Sequence, residues 1–217
     1  MAATGFRFSH TLGGQRDLLG PERELAPSII VAPGDLLVWD TALGKLVLMT
    51  SNTGTPDYVA DVDKTSTATG AETAQVVPAL QNYGVWKIKF TPLHDGLVAS
   101  SGSTTTAVIA AGSGISADVY NGGLVYCVEL NETRIILDSS GSSGSNVTLT
   151  VLTPFSATLS GKTLRVVRWG FASAAVKLKT ASVHNAIGTD AGDDTGGKVA
   201  IYDVDMQKKI ALVIFKP

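Results

Sequence analysis

Three histidines, a lone cysteine and two tight groups of aspartates are the residues of this chain whose types could do chemistry. His94 and Asp95 are neighbours in sequence. A Ser-His-Asp hydrolase needs a carboxylate that orients the imidazole and a nucleophile on a sharp strand-to-helix turn. Adjacent loop residues point apart, and no G-x-S-x-G surrounds any serine, so this pair does not make a hydrolase. His10, His94 and His184 have neither H-x-H nor H-E-x-x-H spacing, so no zinc site is expected. Asp57, Asp61 and Asp63 offer hard oxygen ligands but lack the glycine and terminal glutamate of an EF-hand loop. Asp190, Asp193 and Asp194 sit in a glycine-rich loop whose carbonyls could assist a calcium ion; the alternative is solvated loop acids. Gly112-Ser113-Gly114 is followed by neither the helix nor the third glycine of a dinucleotide fingerprint, and no Walker sequence occurs. Trp39, Trp86 and Trp169 could form a sugar-stacking platform. Each lies within or at the end of an apolar strand, however, so core packing is the expectation. The chain is thus expected to be non-catalytic and to need no cofactor or metal.

Composition narrows the class of protein that must position these residues. Hydrophobic residues are 44% of 217, enough for a substantial core. Charged residues are 17%, below the roughly 25% of ordinary soluble domains. Glycine, serine and threonine make up the difference, as in a β protein with many turns. A net charge of −2 gives no basic stripe, and Lys162, Arg165 and Arg168 read as a solvated strand face, so nucleic acid is not an expected partner. Cys127 has no possible intrachain disulfide partner and lies in the apolar run LVYCVEL, as a small buried hydrophobe would. The first residues, MAATGFRFSHTLGGQ, lack the apolar segment of a signal peptide. No window reaches about 18 uninterrupted apolar residues, so no membrane span and folding in a reducing cytoplasm are expected.

The clearest local structure is APGDLLVWDTALGKLVLMT, residues 32–50. Pro33-Gly34-Asp35 reads as a turn, 36–39 as a strand, 41–45 as a second reversal around Gly44, and 46–49 as the returning strand. Gly34 and Asp35 make the turn, Trp39 is expected in the core, and Asp40 opens the next turn. GVWKIKF alternates with Val85, Lys87 and Lys89 on one side and Trp86, Ile88 and Phe90 on the other, the period of a half-buried strand. Further strands are expected at 58–60, 124–130, 133–137, 147–153, 162–169 and 174–180, with a hairpin at the end of the chain. Residues 71–82 could instead make a turn or two of helix, interrupted by Pro78. Helical periodicity is otherwise nearly absent. The fold class is all-β, with antiparallel sandwich or barrel modules built from hairpins and little helix.

Residues 1–28 are expected to form an extended N-terminal arm, residues 29–110 a first β module and residues 115–217 a second, or the last two one continuous domain. The arm reads either as a frayed tail or as a segment that orders against a neighbouring subunit through Phe6, Arg7 and Phe8. A repeat links the two ends. GDLLVWDTALGKLV at 34–47 aligns without gaps to GKVAIYDVDMQKKI at 197–210. Gly34 then matches Gly197, Trp39 matches Tyr202 and Asp40 matches Asp203. A looser copy runs from Gly122-Gly123-Leu124 to Ile136. True duplication and shared hairpin grammar both account for this.

The turn-then-strand phrase PGDLLVWDTALGKLV, followed by YGVWKIKF, resembles the small capsid decoration (cement) proteins of tailed bacteriophages. The residues that carry the likeness are Gly34-Asp35 and Gly84-Val85-Trp86, within residues 29–90. The resemblance implies a virion protein made in the host cytoplasm. It would be a homotrimer on the outer capsid surface, bracing the lattice of the major capsid protein. Another virion component, from a tail or head fibre, and a non-catalytic glycan-binding β module are the alternatives.

Overall fold

The computed structural model describes residues 5–11, 20–80, 84–170, 176–179, 187–188 and 196–217. The protein is all-β, and among the described residues there is no helix. Two antiparallel sheets curl around interiors of their own, and a third packs against both in a central core.

The first unit spans residues 22–78. Its sheet runs in the order β2 (Glu22–Glu24), β8 (Thr73–Pro78), β6 (Tyr58–Ala60), β4 (Leu36–Asp40), β5 (Lys45–Leu48). Leu25, just past β2, bridges Leu46 of β5 in parallel, and the Ala26 N–H donates to the Leu46 carbonyl at 2.8 Å. The two edges of the sheet thereby meet, and Leu25, Leu37, Leu46, Ala74 and Val76 fill the interior. A two-stranded ribbon, β3 (Ile30–Val31) with β7 (Lys64–Thr65), covers one end. Residues 73–78 form a strand rather than helical turns, since their place between β2 and β6 gives the backbone ladder partners on both sides. Pro78 ends it, where a missing N–H is harmless.

The second unit spans residues 94–167. Its sheet runs β10 (His94–Val98), β16 (Thr163–Val167), β13 (Leu124–Cys127), β14 (Glu132–Ser139), β15 (Asn146–Val151), β12 (Thr106–Ala110), β11 (Ser101–Gly102). One chain segment supplies both edges. Val98 pairs with Thr163 of β16, and three residues later Ser101 pairs with Val108 of β12. At the crossing, Ala99 N–H donates to Lys162 O and Ser100 N–H to Val108 O, each at 2.9 Å. The sheet therefore curls round so that one continuous segment joins its two end strands. Ile109, Val125, Cys127, Ile136, Leu149, Leu164 and Val166 pack inside it. This barrel straddles residues 110–115, so the expected division between two modules does not coincide with a break between sheets. It takes β10, β11 and β12 from one side and β13 to β16 from the other.

The third unit joins the ends of the chain. Its order is β1 (Arg7–Thr11), β9 (Gly84–Lys89), β18 (Ile210–Phe215), β17 (Val199–Asp205), all antiparallel. Its inner face meets both barrels in the central core, where Phe6, Trp86 and Phe215 lie with Leu36, Met49 and Val59 of the first and Leu124, Tyr126 and Val167 of the second. Strand β13 is consequently buried on both sides, which explains its unbroken apolar run. The Trp86 and Trp169 indoles donate to the carbonyls of Ala79 and Gly188, so neither ring carries an unmet donor into the core.

The N-terminal segment is not a free arm. Phe6 is 1% exposed and tilts against Phe215 with ring centroids 5.1 Å apart, while Phe8 meets Trp86 edge-on at 5.5 Å. Phe6 therefore belongs to the chain's own core and is no anchor for a neighbour; Arg7 remains exposed. The insertion depends on two glycines. Phe6 N–H donates to the Gly34 carbonyl at 2.9 Å, and a Cβ on Gly34 would lie 2.5 Å from the Gly5 carbonyl carbon and the Phe6 oxygen. Gly34 also has φ +95° within the turn closed by Asp35 N–H to Ala32 O. Gly44 shares the left-handed φ, +63°, but its Cβ would meet nothing within 4 Å. Gly44→Ala should cost about 1 kcal/mol in urea unfolding, the backbone penalty alone. Gly34→Ala should cost about 3 kcal/mol or more, because backbone collision adds to that penalty and displaces Phe6. Equal losses for the two would mean that Phe6 does not depend on this close approach.

Candidate functional site

The sequence singled out hairpins, and the structure gives three of them the same loop. Asp40 pairs with Lys45, Cys127 with Glu132, and Asp205 with Ile210, each enclosing four residues. The last loop residue is left-handed in all three: Gly44 (φ 63°), Asn131 (φ 55°) and Lys209 (φ 56°). The ungapped alignment was out of step at the turn. Asp40, whose carboxylate accepts the Ala42 and Leu43 N–H groups, corresponds to Asp205, which accepts from Lys208 N–H, rather than to Asp203. Strand β17 is seven residues long against five for β4, which accounts for the two-residue offset; one of the extra residues is the bulge between Ile201 and Asp203.

The matched aromatics share exposure instead of burial. Trp39 is 41% exposed and Tyr202 50%, so Trp39 is not in the core. Alternation explains this: Leu36 and Val38 face the central core and Leu37 the first barrel, while Trp39 continues the Leu37 side beyond the barrel's end. Its backbone N–H donates to the Asp57 carboxylate at 2.8 Å, so Asp57 is committed to a structural bond. Asp35 is buried, and its carboxylate accepts the Ala32 N–H at 2.8 Å within the turn. Gly197 packs against β-bridge residue Val176, whose carbonyl oxygen would lie 2.1 Å from an added Cβ.

Tyr202 and Asp203 instead belong to a surface that sequence reading did not assemble, the outer face of the third sheet. Ladder partners align Arg7, Lys87, Leu212 and Asp203 in one row across it, and Lys89, Ile210 and Asp205 in the next. The face is therefore basic along β1 and β9, apolar along β18 and acidic along β17. Ser9, Lys87, Asp203, Asp205, Ile210 and Leu212 line an open concavity of about 290 Å³ on it. At one end the His10 ring, held by Ser9 Oγ at 3.0 Å, meets Tyr202 edge-on with centroids 6.3 Å apart. Only the alternation of β9 hinted at this face; its acidic side comes from residues more than a hundred positions away.

His94 and Asp95 serve different partners. His94 Nε2 lies 2.8 Å from the Tyr120 hydroxyl, and burial pushes the imidazole below its ordinary pKa and the phenol above its own. Cys127 is buried in the second barrel, and burial raises its thiol pKa. The Asp95 carboxylate reaches away to Arg165 Nε at 2.8 Å and to the Lys209 ammonium. Arg165 also donates to the carbonyls of Met206 and Gln207 and lies over the Tyr126 ring. This cluster pins the β17–β18 turn to the second barrel. Among the described residues no three histidine, cysteine or acidic side chains converge as metal ligands, and Asp190, Asp193, Asp194 and His184 lie outside the described residues.

Partial burial pushes the Asp95 carboxyl up, but the hydrogen bonds and charges of Lys209 and Arg165 outweigh it and hold the group below its usual range. A carboxylate depressed in the folded state adds stability above its unfolded pKa of about 3.9 and loses it as pH falls through the lower folded value. Asp95→Asn should therefore destabilise by about 1 kcal/mol at pH 7, the upper end for partly exposed pairs. The gap from wild type should narrow below about pH 4. A gap in urea unfolding that stays constant down to pH 2.5 would show that the charge contributes nothing.

Comparison with protein-family models, with curated proteins and with solved structures gave no match to this chain.

Proposed function

We propose that the chain is a structural virion protein, a decoration protein that binds the outer surface of an assembled phage head and stabilises the major capsid protein lattice. The observation that carries this reading is the placement of large exposed apolar side chains on tips and sheet faces. Leu43 stands on one hairpin tip and Val128 on another, Leu137 and Leu152 on the second barrel's wall, and Tyr202 on the third sheet's outer face. Dispersed anchors of this kind suit broad contact with a repeating lattice, where modest contacts multiply through avidity. Two barrels held on a central core with buried, bonded tryptophans add a body that tolerates a fixed position on a shell. The resemblance of residues 29–90 to decoration proteins points the same way, with a homotrimer as the assembled form.

Co-sedimentation tests this directly. The purified protein should pellet saturably with undecorated, expanded shells of the major capsid protein from the same genome and should ignore that protein unassembled. No pelleting with expanded shells sinks the proposal. A tail or head-fibre component would instead polymerise on its own. A glycan-binding reading rests on Trp39 alone, since Trp86 and Trp169 are each 1% exposed. It predicts a glycan-array signal that Trp39→Ala abolishes while the fold is kept.

A further inference from the structure

Among the described residues, neither edge strand of the third sheet has a strand on its outer side beyond the single Val176–Val199 bridge, and on β17 the Asp203 carboxylate takes the Val204 N–H. A row of unmet backbone donors and acceptors at a sheet edge is a template for another strand. Four consecutive antiparallel strands make β1 and β17 run in opposite directions. A second copy set beside the first without inversion therefore brings its β1 antiparallel to β17, the geometry that a regular ladder needs.

Charge selects this pairing over the two-fold alternatives. The outer row reads Arg7, Lys87, Leu212, Asp203, and continuing it into a second copy sets that copy's Arg7 beside Asp203. With Tyr202 bulged as it is against β18, the inner row Phe8, Trp86, Val213, Ile201 continues too, placing the half-buried Phe8 next to Ile201. Opposite charges directly across a ladder stabilise it and like charges oppose it. A two-fold pairing of β17 with itself centred on Val204 would face Asp203 with the second copy's Asp205. A two-fold pairing of β1 centred on Arg7 would face that residue with its own copy.

We infer that copies of this chain associate head to tail, β1 of one copy extending the sheet at β17 of the next, with Arg7 against Asp203. Such a heterologous contact generates a closed ring when its rotation closes. The inference names the surface for the self-association of the proposed decoration protein but stands on the sheet edges, not on capsid binding.

Light scattering of the full chain without capsids tests it. Wild type should show a defined multiple of 22.5 kDa. Arg7→Glu and Asp203→Lys should each weaken assembly by at least about tenfold, as like charges meet across the contact. The double variant, R7E with D203K, should recover the wild-type mass, which also shows that the single variants fail by charge rather than by misfolding. A monomeric wild type at all concentrations, single variants that assemble normally, or a double variant that stays dissociated would each overturn the inference. Capsid co-sedimentation is read separately. Assembly that obeys the charge swap without capsid binding removes the proposed function and leaves the edge contact standing.

Discussion

The structure depends on a single central core to which all three sheets contribute. Trp86, Phe215 and Phe6 come from the third sheet, Leu36 and Val59 from the first barrel, and Leu124, Tyr126 and Val167 from the second. Each barrel already has a small interior of its own, and neither needs the other to satisfy its ladders. What fixes their relation is the apolar surface that each turns outward. Strand β13 shows the constraint most plainly. Val125 and Cys127 fill the barrel while Leu124 and Tyr126 fill the central core, so every side chain on the strand is buried. A polar residue anywhere along it would be stranded on one side or the other.

That core also explains why the two ends of the chain meet. The third sheet is assembled from β1, β9, β17 and β18, whose sequence separations are among the longest in the molecule. Its inner face supplies the largest rings, and they pack where both barrels turn their outer faces. Phe6 is the extreme case. It reaches the core because Gly5 and Gly34 let two backbones approach within a distance that any Cβ would forbid. The Gly34 turn thus serves two ends at once, reversing the first barrel's chain and admitting the N-terminal strand.

Local features were legible in the sequence because their causes are local. The Pro33-Gly34-Asp35 turn, the alternation of residues 84–90 and the strand at 58–60 follow from turn chemistry and period alone. Barrel closure was not legible, since nothing in the composition of residues 98–101 says that the chain crosses from one edge of a sheet to the other. The fate of residues 5–8 was hidden for the same reason: the glycine that receives them lies about thirty positions on. Trp39 was misplaced because an apolar neighbourhood says only that a strand is half-buried, and a strand's last residue escapes the core that its earlier ones fill. The repeat misled by two residues because β17 is two residues longer than β4, and its bulge puts Ile201 and Asp203 on opposite faces.

The third sheet's outer face shows how such nonlocal assembly creates a surface with direction. Basic residues come from β1 and β9, acidic ones from β17, and an apolar strip from β18 lies between them. A protein with open sheet edges must either blunt them or use them. The bulges at Ser9 and Tyr202 disrupt regular pairing, and the edge charges discourage each edge from meeting its own kind. Those charges have opposite signs on the two edges, so the same residues that reject a two-fold contact favour the contact between unlike edges. Protection against indiscriminate strand addition and selection of one partner then have a common physical origin. Opposite charge at opposite ends of an even-stranded antiparallel sheet supplies both.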